Sequence, residues 1–191
     1  MDSISSNLDY YQYDPKEAKR LLADAGYPKG FKTQLTATAG LGRDLVDAAQ
    51  LVQRFLKDVG IEVELKLQEY GAYTATTVQG KYEGMVYGPS TGARDPDGPS
   101  YRMYVPDQPL NRGYVNDPTL TALLKEQRRT KDLEARKQLI YAFQRYVAEQ
   151  QYYVYTNSGV FTGSWQPYVK NYAPSQTFDY GSRVSALWLD R

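Results

Sequence analysis

The stretch KTQLTATAGLGRDLVDAAQLVQRFLKDVGIEVELKLQ, residues 32–68, decides the fold. Its opening, Lys32–Ala39, alternates. Thr33, Leu35, Ala37 and Ala39 share one face, and Gln34, Thr36 and Thr38 the other, which predicts a strand. Gly40-Leu41-Gly42 breaks that pattern. From Arg43 to Val59 the residues Leu45, Ala49, Val52, Leu56 and Val59 recur on one stripe of a helix, and Gly60 stops it. Ile61–Gln68 alternates again, with Ile61, Val63, Leu65 and Leu67 on one face and Glu62, Glu64, Lys66 and Gln68 on the other. Two strands joined by a helical crossover run parallel.

Upstream, Asp14-Pro15-Lys16-Glu17 starts a helix. Asp14 suits the N-cap, Pro15 the first helical position, and Glu17 the third position of a capping box. Ala18, Leu21, Leu22 and Ala25 follow at helical spacing before Gly26 and Pro28 end it. Downstream, Tyr70–Val78 reads as a short helix and Gly84–Gly88 as a strand. Pro89 to Pro109 reads as a long loop, because prolines and glycines interrupt it and no period runs through it. Asn116-Asp117-Pro118 opens another helix. Asp132 caps the next, with Leu133, Leu139, Ile140, Phe143 and Val147 as its buried side. Gln151–Thr156 reads as a strand.

Composition excludes whole classes of chemistry. The chain has 191 residues, no cysteine and no histidine. Disulfides, thiolate metal sites, cysteine nucleophiles and histidine general bases are therefore ruled out together. The net charge of +1 supplies no field for nucleic acid or an anionic membrane. No apolar run approaches the roughly 20 residues of a membrane span. Nineteen tyrosines against five phenylalanines stand out. Tyrosine joins an apolar face to a polar tip, so it serves wet contact surfaces as well as cores.

Three stretches carry candidate chemistry. Gly40-x-Gly42 sits between strand and helix, where phosphate loops sit, but Leu45 stands where a dinucleotide fingerprint needs its third glycine, so it reads as a plain turn. Arg94-Asp95-Pro96-Asp97 places two carboxylates and a guanidinium in the long segment. Asp95 and Asp97 would suit acid–base work if their pKa values were split, whereas Asp-Pro-Asp-Gly is also what a solvated turn looks like. The length of the segment itself points to function. Arg128-Arg129-x-Lys131 ends a helix, where cations complement the macrodipole.

Several of these stretches together resemble one family, the extracytoplasmic solute-binding proteins of peptide, dipeptide and nickel ABC importers (family 5 solute-binding proteins). Tyr13-Asp14-Pro15-Lys16-Glu17-Ala18 through Ala25-Gly26-Tyr27-Pro28-Lys29-Gly30-Phe31 is similar to its most recognisable segment. Ala48-Ala49-Gln50-Leu51 through Gly60-Ile61-Glu62-Val63 resembles its next helix and strand. Tyr82-Glu83-Gly84-Met85 followed by Asp95-Pro96-Asp97, and then Asn116-Asp117-Pro118 through Tyr152-Tyr153-Val154, complete the order.

The resemblance implies an α/β fold: a mixed, largely parallel sheet flanked by helices, one lobe of a type II periplasmic binding protein-like fold. The polar opening, residues 1–9, reads as a flexible lead; the resemblance assigns 10–157 to the lobe and 158–191 to a C-terminal segment returning toward a first lobe that this chain lacks. No signal-peptide pattern opens the chain, as expected of a piece of a longer exported protein.

The implied role is to bind peptides or similar small solutes in a periplasmic or extracytoplasmic cleft and deliver them to the importer's membrane subunits. No catalysis, cofactor, metal or nucleic acid is involved. Peptide binders of the family carry an acid shortly before the Asp-Pro step, where this chain has Gly92 and Ala93. Arg94 instead favours an anionic group. The expected ligand contacts are Tyr87 and Tyr101 as stacking faces and Arg94 and Asp95 as charges. Two other classes remain open at this point: a carbohydrate-active hydrolase using Asp95 and Asp97, and a pure interaction module. Self-association through Trp165, Tyr168, Tyr172, Phe178 and Trp188 is also expected.

Overall fold

The computed structural model describes residues 12–90, 95–156, 164–172 and 187–190. The chain divides into two units, residues 1–153 and 154–191.

In the first unit, α1 (Pro15–Asp24) begins where Asp14 accepts hydrogen bonds from the Lys16 and Glu17 amides, both at 3.0 Å. Glu17 does not reach back to the cap; it pairs with Arg20. The helix closes on Gly26 at φ 91°, with the Tyr27 amide donating to the Leu22 carbonyl at 2.8 Å, a Schellman closure. Strand β1 (Phe31–Thr38), helix α2 (Arg43–Asp58) and strand β2 (Ile61–Gln68) follow within a residue or two of their expected bounds.

Strands β1 and β2 run parallel from Phe31 opposite Ile61 to Thr38 opposite Gln68. At the entry to this pair, two glycines meet. A Cβ on Gly30 would lie 1.8 Å from the Gly60 carbonyl oxygen, and both residues have positive φ, so only glycine fits. Helix α3 (Tyr70–Ala75) is capped by the Glu69 carboxylate and leads through a 3-10 turn, Thr77–Gln79, to strand β3 (Met85–Val86). Strand β3 pairs parallel to β1, giving the sheet order β2-β1-β3.

The central strand is covered on both faces toward its carboxyl end: Leu35, Thr36, Ala37 and Thr38 are all buried. Leu35 and Ala37 pack with Ala49, Ile61 and Val63, and with Leu22, Val52, Leu56, Met85 and Tyr87 around them. The alternation of β2 holds at Ile61 and Val63. It fails at its carboxyl end, where Leu67 is 50% exposed rather than inward.

The stretch expected as a loop from Pro89 to Pro109 contains helix α4 (Asp97–Tyr104). Gly98 and Pro99 give it poor intrinsic propensity, but Pro is tolerated in a first turn. Its anchors are tertiary: Asp97 at one end and Tyr104, 2% exposed, at the other. Helices α5 (Pro118–Arg129) and α6 (Leu133–Gln150) take their caps from Asp117 and Asp132, as the sequence predicts. Leu133 is not on the buried side of α6. It stands at the first helical position and is 72% exposed.

Tyr104, Val105, Val115, Leu120, Leu124 and Phe143 form a second core. Burying Leu120 and Leu124 there contributes about 2 kcal/mol each. Residues 151–156 are not a strand: Gln151 ends α6 in the left-handed region, and no ladder follows. Tyr152 and Tyr153 instead turn their hydroxyls to Asp117 and Gly113.

The second unit holds β4 (Val169–Lys170) paired antiparallel with β5 (Trp188–Leu189). Trp165 meets Tyr172 edge-on at 5.1 Å, and Trp165, Tyr168 and Trp188 are each about half exposed. Phe178 and residues 1–9 lie outside the described residues. Among those described, no helix is long and apolar enough to cross a membrane.

Candidate functional site

Tyr87 follows β3 directly. Its amide donates to the Thr36 carbonyl at 2.9 Å, and its partly buried ring packs on the sheet core. Thr38 caps a 3-10 turn, Ala39–Leu41, by accepting from the Gly40 amide, and Gly42 at φ 115° leads into α2. The Gly40-x-Gly42 segment is thus a capped strand-to-helix turn. Leu41, Leu67 and Tyr70 are exposed around this end of the strands.

Asp95 and Tyr101 belong to a different group of side chains. Asp95 accepts from the Asp97 amide at 2.8 Å and takes both terminal nitrogens of Arg136, at 2.9 and 2.7 Å. Asp97 accepts from the Nε and Nη2 of Arg128, at 2.7 and 2.8 Å, and from the side-chain amide of the buried Gln127 as well. The Arg128 guanidinium lies 3.4 Å from the centroid of the Tyr101 ring. A cleft of about 350 Å³ opens here, lined by these ion-paired side chains together with Lys131 and Leu133.

The electrostatics follow from this pairing. Hydrogen bonding from Arg136, then from the Asp97 amide, draws the Asp95 carboxyl down to about 2. Arg128 lowers Asp97 against the opposing effect of burial. Both arginines are raised by the same bonds. Two ionised carboxylates bound to two guanidiniums make a clasp between the start of α4, the end of α5 and the start of α6.

Of the four expected ligand contacts, Tyr87 stands with the sheet core and Asp95 and Tyr101 stand in this clasp. Arg94 lies outside the described residues. Arg128 had a sufficient reading in the helix dipole, and the structure adds its partner Asp97. Gln127, Arg136 and the residues around Arg112 carried no signal, because their partners lie 30 or more positions away in most cases.

Tyrosine hydroxyls fasten the loops around this core. Tyr146 and Tyr152 both donate to the Asp117 carboxylate at 2.7 Å. Burial pushes Asp117 up, but the Leu120 amide and these two hydroxyls outweigh it and hold the group below its ordinary value. The same contact raises Tyr152 to about 12. Tyr82 donates to the Arg112 carbonyl, Tyr114 to the Gly80 carbonyl, and the Gly113 amide donates to Tyr153. No group of three or more acidic residues among those described is placed to hold a metal ion.

A parallel sheet with flanking helices, its loops carrying aromatic and charged groups beyond the strand ends, is one lobe of a type II periplasmic binding protein-like fold. The family model for bacterial extracellular solute-binding proteins, family 5 (middle region), matches residues 2–111. The chain belongs to that family.

Among curated relatives, the dipeptide-binding protein of Escherichia coli is 30% identical over 100 residues, which is 51% of this chain and 19% of that protein. Heme-binding protein A of Haemophilus influenzae is 28% identical over 98 residues, or 50% and 18%. Among solved structures, the periplasmic binding protein DppA of Helicobacter pylori in complex with the peptide STSA superposes with a TM-score of 0.73. It is 26% identical, over 95% of this chain and 35% of DppA. AgaA from A. tumefaciens R10, in complex with agropinic acid, is 32% identical with a TM-score of 0.65, over 72% of this chain and 28% of AgaA. The matched region spans about a fifth of these curated relatives and about a third of these solved proteins.

Proposed function

We propose that this chain is a ligand-capturing lobe of a solute-binding protein that delivers peptides or similar small solutes to an ABC importer, working outside the cytoplasm with a first lobe and the importer's membrane subunits as partners. The observation that carries this reading is the likeness along 95% of the chain to a periplasmic binding protein seen with a bound peptide. In such a protein the solute is held in a cleft and released by hinge motion, and no covalent step is required. Tyr87 and Arg94 are the proposed direct contacts. Asp95 and Tyr101 serve instead to hold α4 to α5 and α6, since their charge and ring are engaged by Arg136 and Arg128.

The hydrolase reading has little support. A general acid needs a carboxyl raised toward neutrality, and Asp95 and Asp97 are both lowered by arginine. Uptake of labelled di- and tripeptides in cells with and without the gene encoding this chain tests the proposal. Uptake that falls when the gene is deleted supports it, and equal uptake removes it.

A further inference from the structure

Strand β2 is an edge of the described sheet, whose order is β2-β1-β3. The direction of its free backbone groups follows from its neighbours. Along a strand, the N–H and C=O of successive residues point to alternate sides. The Tyr87 amide donates to the Thr36 carbonyl, so the even-numbered residues of β1 turn toward β3 and the odd-numbered ones toward β2. Thr33 stands opposite Val63 and Leu35 opposite Leu65. In a parallel ladder a residue bonds to those on either side of its partner, here Glu62, Glu64 and Lys66. The backbone groups of Val63, Leu65 and Leu67 therefore point outward. The Gln53 side-chain amide, on α2, agrees with this direction by donating to the Val63 carbonyl at 2.6 Å.

An open edge is a template for another strand, and proteins blunt it with short length, proline or a bulge. Strand β2 has eight residues, no proline and an unbroken register with β1. A net charge of +1 does little to hold copies of the chain apart.

The side chains select the strand that fits. Glu62 is paired with Lys32 of β1 at 2.7 Å. Glu64 and Lys66 are exposed and have no ion pair among the described residues. Against a second β2 running antiparallel about a two-fold axis at Leu65, Glu64 of each strand faces Lys66 of the other. Leu65 faces Leu65, and Val63 faces Leu67. An axis one residue earlier would instead set Glu64 against Glu64. Opposite charges directly across an antiparallel pair stabilise it, and like charges oppose it. In the Leu65-centred register the outward backbone groups exchange bonds, Leu65 with Leu65 and Val63 with Leu67. The Val63 carbonyl keeps Gln53 on one lone pair and takes the Leu67 N–H on the other. The pairing also brings Val63 of one copy beside Leu67 of the other, which is 50% exposed in the single chain.

We propose that the β2 edge is a self-association surface: two copies of this chain join β2 to β2, antiparallel and centred on Leu65, into one continuous sheet.

Sedimentation equilibrium of the full chain over a concentration series tests it. The mass should rise from that of one chain to that of two. Lys66→Glu and Glu64→Lys each set like charges across the axis, so each should stay at the mass of one chain. Mixed in equal amounts, the two variants face each other with opposite charges and should recover the mass of two. Glu64→Lys combined with Lys66→Glu in one chain should recover it as well. In the unaltered chain, exchange of the Leu65 and Leu67 amides should slow as concentration rises. A chain that remains single at every concentration overturns the proposal. So do single variants that still pair, which would place the contact elsewhere, or a mixture and a double variant that both remain single. A dimer whose Leu65 and Leu67 amides exchange at one rate throughout overturns it too.

Discussion

Asp95 and Arg136 lie 41 positions apart and meet in a two-bond ion pair, Nη1 to Oδ2 at 2.9 Å and Nη2 to Oδ1 at 2.7 Å. With Asp97 and Arg128 beside it, this pair fixes the start of a helix whose own sequence, with Gly98 and Pro99 in the first turn, does little to form it. Carboxylates that suggest chemistry in the sequence are, in the fold, the fastening of α4.

The first prediction concerns pH. The folded Asp95 is drawn to about 2, below its ordinary 3.8. A carboxyl lowered by folding contributes stability above its unfolded pKa and loses it as pH falls through the folded one. The window is therefore from roughly pH 5 down to pH 2. Asp95 is more than half exposed, so solvent screening limits the effect to about 0.5–1 kcal/mol. Denaturant melts of the wild type and Asp95→Asn should differ by that amount at neutral pH and converge near pH 2. A difference that persists at low pH would mean the ion pair is not its source.

The second concerns catalysis. Both Asp95 and Asp97 are held as carboxylates by arginine, so neither can donate a proton near neutrality. Assays with nitrophenyl glycosides should read background for the wild type. Turnover that disappears in Asp97→Asn would defeat the binding-protein reading.

How legible was this molecule? Local rules reached most of the first unit. Asp14, Asp117 and Asp132 each cap the helix they announce, and β2 occupies Ile61–Gln68 as its alternation indicates. The failures share a cause. Helix α4 lacks a period and depends on Arg128 and Arg136, whose partnership with Asp95 and Asp97 no spacing rule predicts. Tyr152 and Tyr153 look like strand residues because aromatics favour strands, yet their hydroxyls are spent on Asp117 and Gly113. The abundance of tyrosine was visible, but which phenol holds which loop was not, since those bonds join residues 29–40 positions apart.

The third prediction tests the close approach at the sheet entry. Gly30→Ala puts a methyl 1.8 Å from the Gly60 carbonyl oxygen at a φ of 71°. Backbone strain and forced separation of β1 from β2 add together, for a cost of about 2–4 kcal/mol. Urea unfolding should show the midpoint moving down with an unchanged slope. Gly26→Ala is the contrast: its φ of 91° is strained, but nothing lies within 4 Å of the new Cβ. It should cost only about 1 kcal/mol. Equal losses at the two sites would refute the contact.

The last prediction separates the two duties of Asp117. Its Oδ1 accepts from the Leu120 amide at 3.0 Å and caps α5, while its Oδ2 accepts from Tyr146 and Tyr152. Asp117→Ala removes both, at a cost of about 2 kcal/mol, because a lost cap is joined by hydroxyls left without their acceptor. Asp117→Asn keeps a capping oxygen but removes the negative charge, so it should cost less. The two variants agree in another readout. Tyr152 is held at about 12 by the Asp117 carboxylate, and without that charge it should titrate nearer 10. An alkaline spectrophotometric titration should therefore show one tyrosine class moving to lower pH in both variants while their stabilities differ. A tyrosine titration unchanged in Asp117→Asn would mean that burial, rather than the carboxylate, governs Tyr152.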